Sequence, residues 1–526
     1  MANLSTQGQM PIPYNVLYIM LDDFGVDKVG CYGEGADLTL TPNIDAEAAK
    51  GVRFEQCYVA TVCSPTRYEA LTGKKSGTGG YWYVPKTPAQ LGGYPTSEWE
   101  APASEEFLAQ RLSNPVYANG RTIATGHFGK WHIHHMQSAT DLDYVRTRGG
   151  YQEYRGWMWN MEPTAGGGGS TYTPTSYVYN SAVTGAYGWP RVVNNVLTPG
   201  ASPAPGSLTG AAGSNYCSQH VTVQTVSDCI TWLSSGITQP WFASVWPHAP
   251  HVPIQWPGST GHTQTTPIVS AAHAAAGLGT AGQPVKQGDF WAAFNAVEST
   301  PVAPWIKAMV QHTDYYIGQL IQTARKRWPN TIVIIMGDNG SDAYASATDN
   351  TVEAPFNATN DKQTPYNGGI RVPLIISGAP VVEPNRACQG LVNSCDIFPT
   401  VCQLMSVSLP TVGSKYGMSM FPYLKDATIS SLRDIVISEY GNIVKNPATA
   451  VAGDFSTRWY AAVNQEGYKL IWTVGGSPEL YNLKTDRFET TNLYPSLPAS
   501  GPSKSAYTEL YAAIYHQAVN VEHLTV

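Results

Sequence analysis

A chain of 526 residues, 43% hydrophobic and only 13% charged, is an ordered globular protein long enough for two packed parts rather than one. Its formal net charge of −7, without any basic run, argues against a polyphosphate-tracking surface and against nucleic acid as a partner. No stretch of about 18 apolar residues could span a bilayer, so no membrane partner is expected.

The predicted elements follow in chain order. Residues 1–14 lack a basic segment leading into an apolar run. A cytoplasmic protein with mostly reduced cysteines is therefore expected, or a periplasmic or secreted one if a leader has been removed. Val16–Leu21 is a continuous apolar run, the mark of a strand buried on both faces, and Asp22-Asp23 follow it directly. Ser64-Pro65 reads as an N-cap and first helical residue, with Gly73 closing a helix of about two turns. Cys63 would then sit just outside a helix N-terminus, where unpaired N–H groups favour an anion, with Arg67 adding positive charge. Residues 76–104, rich in Gly, Pro, Ser, Tyr and Trp, read as an insert.

A weaker strand at Arg121–Thr125 precedes Lys130 and His132, which point the same way in an extended segment. A second insert spans 148–216. The strand Trp241–Trp246 leads into a stiff proline-rich loop carrying His248 and His251. Trp305–Arg327 reads as a helix with Met309, His312, Ile317, Leu320 and Ile321 on one face. Thr331–Met336 is a further buried strand, followed by Asp338-Asn339, and Val372–Ile376 is another.

Beyond about residue 425 the texture changes. Short strands at Asp434–Ser438, Trp459–Val463 and Lys469–Thr473 precede a helix with Leu510, Tyr511, Ile514, Tyr515 and Ala518 on one stripe. The expected fold is α/β: a large, mostly parallel or mixed sheet sandwiched by helices over residues 1–425. A smaller α+β antiparallel-sheet subdomain follows over 426–526. In such sheets ligands bind beyond the carboxyl ends of strands, so the polar clusters after four strands are expected to converge at one edge.

Asp22, Asp23, Asp338 and Asn339 offer hard oxygen donors, suited to Ca²⁺ or Mg²⁺ rather than zinc. Alone, each pair is more often a turn or a helix cap; after two buried strands they read together as a metal site. Alone, Cys63 would be an ordinary thiol nucleophile or a buried cysteine, and Lys362 a solvated loop lysine. His132 could equally be a hydrogen-bonded structural histidine, with His127, His134 and His135 nearby. Cys217, Cys229, Cys388, Cys395 and Cys402 show no zinc-ligand pattern and read as buried thiols, or as disulfides in an exported protein.

The chain resembles type I sulfatases of the alkaline phosphatase superfamily. The resemblance rests on LDDFG at 21–25, CSPTR with LTG at 63–73, GKWH at 129–132, APHVP at 249–253 and GDNG at 337–340. K-x-x-x-Y-x-GG-x-RVP at 362–373, DIFPT at 396–400 and ELYNL…D…E…NL at 479–493 extend it. It runs in family order over about residues 14–495 and leaves out the two inserts. It implies a divalent cation on Asp22, Asp23, Asp338 and Asn339, usually calcium, with Mg²⁺ or Mn²⁺ as lesser candidates. Cys63, oxidised to formylglycine by a maturation enzyme, would complete the metal site as its hydrate. Arg67, Lys130 and His132 would hold that hydrate, and His251 and Lys362 would bind the sulfate and the leaving oxygen. Asn367 departs from the pattern, which commonly has an acidic residue there; this bears on a charge contact near Lys362 rather than on the catalytic set. His248 receives no role.

The implied reaction is hydrolysis of small or aryl sulfate esters. One hydroxyl of the hydrated aldehyde attacks sulfur, with Asp338 as base and His251 as acid, and the second expels sulfate. The negative charge makes a highly sulfated polysaccharide a less comfortable partner than a small ester. The alternative is a phosphonate or phosphate ester hydrolase with the same nucleophile, or promiscuity between the two. Related phosphonate hydrolases tend to carry histidine at the place of Asn339. Self-association into a homo-oligomer stays open.

Overall fold

The computed structural model describes residues 13–36, 39, 41–79, 101, 104–134, 143–158, 190–194, 196–199, 221–251, 303–343, 351–411, 416–443 and 455–521. Most of both predicted inserts, His135, Cys217 and the end of the histidine loop beyond His251 lie outside them.

Ten strands form one sheet. They are β1 (Asn15–Leu21), β2 (Gly51–Tyr58), β3 (Ala124–Lys130), β4 (Glu153–Trp157) and β5 (Pro190–Val193), followed by β6 (Val196–Pro199), β7 (Trp241–Trp246), β8 (Thr331–Gly337), β9 (Leu374–Ser377) and β10 (Arg386–Asn393). Their spatial order is β10-β2-β9-β8-β1-β7-β3-β4-β5-β6. The central run β8-β1-β7-β3-β4 is parallel, while β9 is antiparallel to both of its neighbours. The fold is thus the expected α/β sandwich with a mixed sheet.

β1 shows why the apolar run was decisive. Val16, Tyr18 and Met20 enter one core with Tyr68, Leu71, Leu108 and Phe398, while Leu17, Ile19 and Leu21 enter another with Val226, Leu233, Ile317 and Leu320. Alternation across the pleat sends every second residue to the opposite face, and both faces carry helices. Each fully buried Leu or Ile here contributes about 1.5–3 kcal/mol by leaving water. The predicted helix spans Ala303–Arg327 and buries Met309, His312, Ile317, Leu320 and Ile321 as expected.

A second, antiparallel sheet comprises β11 (Ile435–Ile443), β12 (Phe455–Asn464), β13 (Tyr468–Thr473) and β14 (Glu479–Asn482). One face packs Val436, Trp459 and Ile471 against Tyr58, Val62, Ile370 and Leu391 near the large sheet. The other lies under the helix Pro502–Tyr515. Leu510 and Ile514 of that helix and Ala518 of the π-helical turn His516–Val521 after it are buried, but Tyr515 is 44% exposed, so the predicted stripe is narrower than its five residues.

Three expectations are corrected. The strand placed at Arg121–Thr125 runs instead over Ala124–Lys130. Its centre, Gly126-His127-Phe128-Gly129, is mostly small or polar, so no apolar run marks it. Residues 153–157, read as part of the second insert, form β4 and pair with β3. The Cys63 helix, α2 (Cys63–Thr72), follows α1 (Pro42–Ala48) and begins at Cys63 rather than after Ser64. Extended Val62 precedes it, and no side chain caps it. Gly73 ends α2 in the left-handed conformation, as expected.

Candidate active site

Sheet register brings the polar clusters to one edge. Leu21 lies opposite Gly337 and Gly129 opposite Trp246, so Asp22, Asp338, Lys130 and the His248 loop all open beyond adjacent strands. The N-terminal turn of α2 delivers Cys63 and Arg67 to the same place. Gly340 lies so close to the Gly368-Gly369 turn that a Cβ there would meet Gly368 O at 1.7 Å. Gly340 N donates to Gly369 O (2.9 Å), tying the Asp338-Asn339 turn to the segment that carries Lys362.

Arg67 donates through Nε (3.1 Å) and Nη2 (2.7 Å) to Asp338 Oδ2, and through Nη1 (3.0 Å) to Lys130 O. Its Nη2 is also 3.4 Å from Asp22 Oδ2. Lys130 Nζ donates to Asp22 Oδ2. Lys362 Nζ is 2.7 Å from Asp23 Oδ1 and 3.6 Å from Asp342 Oδ2. Cys63 Sγ is 3.1 Å from His132 Nδ1, His251 Nε2 is 3.8 Å from Asp23 Oδ2, and His248 Nδ1 is 3.5 Å from Asp22 Oδ2. All ten predicted site residues therefore meet in one constellation.

Three non-glycine residues there adopt the left-handed backbone: Asp23 (φ 57°), His132 (φ 57°) and Gln363, next to Lys362 (φ 73°). Such conformations cost energy and persist where surrounding structure over-determines them, as at ligand sites.

Burial and charge set the protonation states. Burial pushes the Cys63 thiol up to about 11, with Lys130 opposing, so the side chain stays a thiol beside His132 Nδ1. Burial, Lys130 and Arg67 hold His132 well below its usual range, and burial lowers His251 to about 4 against the pull of Asp23. Burial works to raise Asp22, but Lys130, His251 and Arg67 outweigh it and keep the group ionised. Burial and Asp22 raise Asp338 to about 7, against Arg67. Burial opposes the charge on Lys362, but Asp23 and Asp342 hold it protonated.

Two acceptors stand out. Asp22 Oδ1 and Asn339 Oδ1 are buried and have no hydrogen-bond partner among the described residues. Asn339 turns its nitrogen to Asp23 Oδ1 (2.8 Å) and Gly340 O (2.9 Å), which leaves the oxygen open. Orphaned buried acceptors are costly unless something absent from the protein chain satisfies them. One ligand atom each from Asp22, Asp23 and His251, and likewise from Asp22, Cys63 and Asp338, lie within 4.8 Å of one another. Hard, mostly anionic oxygens at this spacing fit a divalent cation.

The matching family model is the sulfatase model, over residues 14–407. The chain belongs to the sulfatase family. This sulfatase hydrolyses sulfate esters. A second model, N-sulphoglucosamine sulphohydrolase C-terminal, covers 357–512. The steryl-sulfatase of Rattus norvegicus is 25% identical over 450 residues, 78% of this chain and 70% of that one. The N-acetylgalactosamine-6-O-sulfatase of Bacteroides thetaiotaomicron is 23% identical over 548 residues, 93% and 91% of the two chains. Among solved structures, Ps i-CgsB with k-i-k-neocarrahexaose shares the fold with a TM-score of 0.64 at 18% identity, covering 95% of this sulfatase and 92% of that chain. PsFucS1 sulfatase from Pseudoalteromonas sp. does so at 0.62 and 18%, covering 98% and 92%.

Sequence reasoning left some partners unseen. Asp27 Oδ1 accepts from Ser341 Oγ (2.6 Å), which also accepts from Gly25 N (3.3 Å). This brace locks the Asp22-Asp23 turn to the Asp338-Asn339 turn across 314 residues, and nothing in the sequence marks it. Asn367 contacts Lys469, Glu489 and Arg487 rather than Lys362. Cys229, Cys388, Cys395 and Cys402 are free thiols, so no disulfide forms among them. Among the described residues, no helix is long and apolar enough to cross a membrane.

Proposed function

We propose that this sulfatase cleaves sulfate monoesters of small or aryl alcohols with residue 63 in its formylglycine form. Asp22, Asp23, Asp338 and Asn339 would hold a divalent cation, calcium as membership of the sulfatase family implies. The observation that carries this reading is the pair of open acceptors, Asp22 Oδ1 and Asn339 Oδ1, beside Cys63. The CSPTR motif at 63–67, at the start of the helix that faces the open acceptors, supports a modified side chain. A maturation enzyme that oxidises the thiol to the aldehyde is then a required partner. The hydrated aldehyde supplies two hydroxyls on one carbon, one to attack and one to release product. The cation supplies Lewis acidity and charge at the attacking oxygen.

The remaining chemistry lies in the chain's own residues. Asp22, Asp23 and Asp338 balance Arg67, Lys130 and Lys362, so a divalent cation leaves the cluster with two surplus positive charges. That surplus suits an anionic ester and the charge spreading over its oxygens. Asp338, ionised between Arg67 and the cation, would take a proton from the attacking hydroxyl. His132, neutral and facing residue 63, orients that hydroxyl. Lys362, held protonated at the Asp23 side, and His251 cap the leaving oxygen. An arriving anion raises the His251 pKa and so favours its acidic form.

Cys63→Ala should leave the circular dichroism spectrum intact and reduce turnover below about one percent of wild type. Greater residual activity would refute covalent catalysis. Mass spectrometry of the residue-63 peptide, after co-expression with a maturation enzyme, should show aldehyde in place of thiol. Matched aryl sulfate, phosphate and phosphonate esters should rank sulfate first in kcat/KM. Steryl and N-acetylgalactosamine 6-O-sulfates, the substrates in the relatives' names, bracket the leaving groups to compare.

A further inference from the structure

His127 is fully buried in the centre of β3, five residues before His132, and touches no reacting group. Its Nε2 lies 3.2 Å from Lys130 O and its Nδ1 lies 2.8 Å from Ser244 Oγ on β7. Tyr151 Oη, 2.8 Å from Ser244 Oγ, closes the chain at its far end. A carbonyl can only accept, so Nε2 carries the ring proton, and Nδ1 is left unprotonated beside Ser244 Oγ. Burial depresses the imidazole to about 3, which keeps it neutral and in this single tautomer.

The carbonyl that His127 holds is shared. Lys130 O also accepts from Arg67 Nη1 at 3.0 Å, so both of its lone pairs are taken by buried donors. Gly129, at φ 104°, turns the chain just before it, and a Cβ at Gly129 would meet Trp246 O at 2.1 Å. His127 also sets its ring edge-to-face on Trp246 (4.8 Å), and Trp246 carries the Arg67 guanidinium over its other surroundings at 5.0 Å. Two separate contacts thus run from one histidine, one to the Lys130 backbone and one through Trp246 to Arg67.

We propose that His127, with its tautomer fixed by the Lys130 carbonyl, is a positioning residue for sulfate ester hydrolysis. By pinning the Lys130 carbonyl together with Arg67, it holds the Lys130 ammonium and the Arg67 guanidinium in register with the reacting group. The inference rests on the roles of Lys130 and Arg67 proposed above.

The test is a set of variants in matured enzyme, with kcat referred to the formylglycine content of each preparation. His127→Leu removes the donor to Lys130 O and should lower kcat about thirtyfold while KM changes less than about threefold. His127→Gln retains an N–H donor at similar reach and should recover activity to within about threefold of wild type. Ser244→Ala removes the polar neighbour of Nδ1 that holds the ring in place and should cost about fivefold in the His127 enzyme but nothing further in the His127→Gln background. Equal Ser244→Ala losses in both backgrounds would overturn the proposal, as would a kcat loss in His127→Gln as deep as in His127→Leu. If His127→Leu does not fold, the Ser244→Ala and His127→Gln cycle decides alone. Lys130→Met separates the two levels: full activity in that variant would sink the underlying reading, whatever His127 does.

Discussion

Arg67 and Arg371 are both buried arginines held by carboxylates, yet what surrounds them differs. Arg371 donates Nη1 and Nη2 to the two oxygens of Glu34 (2.6 and 2.7 Å) and Nε to Glu55 O (2.7 Å). Arg487 adds a second cation to Glu34 and Glu55. The geometry is bidentate and the carboxylates are fully used. Around Arg67, by contrast, both guanidinium contacts to Asp338 fall on Oδ2, and the neighbouring Asp22 Oδ1 and Asn339 Oδ1 have no partner. A cluster that satisfies itself joins parts of a fold; one that leaves acceptors open is built for something that binds.

Substitutions should separate the two clusters. Asp338→Asn should reduce kcat/KM about a thousandfold, yet change the stability of metal-free protein by less than about 1 kcal/mol. Asp338 already sits near a neutral form, which an amide mimics. Urea unfolding with chelator present, alongside initial rates, gives both readings, and a large loss of metal-free stability would erase the contrast. Arg371→Met should do the opposite. It strands Glu34 and Glu55 and should cost about 3–5 kcal/mol, seen as a lower urea midpoint, while the rate per folded molecule stays within about threefold of wild type.

The next expected effect is a pH dependence. Burial and Asp22 raise Asp338 to about 7, so at pH 6 most metal-free molecules hold a proton that an incoming cation must displace. Calcium should bind about tenfold more weakly at pH 6 than at pH 8. Calorimetry in buffers of different ionisation enthalpy should show close to one proton released at pH 6, and a pH-independent affinity would sever Asp338 from the cation site. The sign for folding is opposite: the raised group stabilises metal-free protein below its unfolded pKa, and this is lost as pH climbs through about 7. The smallest effect is Asn367→Asp. It keeps an acceptor for Lys469 but replaces the amide donor to Arg487 O with a second acceptor, beside Glu489. It should cost about 1 kcal/mol in stability with unaltered kcat, read by thermal melts and rates on one preparation.

The legible parts of the fold were those with one-dimensional signatures. β1, β7 and β8 are buried on both faces, so their residues are apolar throughout and mark themselves. β3 does not, because its centre buries His127, Gly126 and Gly129, and the polar one is satisfied by Ser244 and Lys130 O. β2, with Arg53, Glu55 and Gln56 among its eight residues, was silent for a similar reason: Arg53 and Glu55 pair with each other, and Glu55 also meets Arg371 and Arg487. The ten residues that meet at the candidate site were readable because they follow buried strands or sit in compact motifs. Ser341, Asp27 and Ser244 were not, since their roles depend on a partner far away in the chain.

The amino-acid order alone settled the inventory: which carboxylates, histidines and cations stand near strand ends, and that a cysteine lies by a helix N-terminus; that it opens the helix came from the structure. Periodicity and local motif suffice there, because strand burial and helix ends are written into consecutive residues. Only the tertiary structure decided which atoms are paired and which stay open. Hydrogen-bond satisfaction depends on distance and direction between segments hundreds of residues apart, and so do the tautomer of His127 and the split between Asp22 and Asp338.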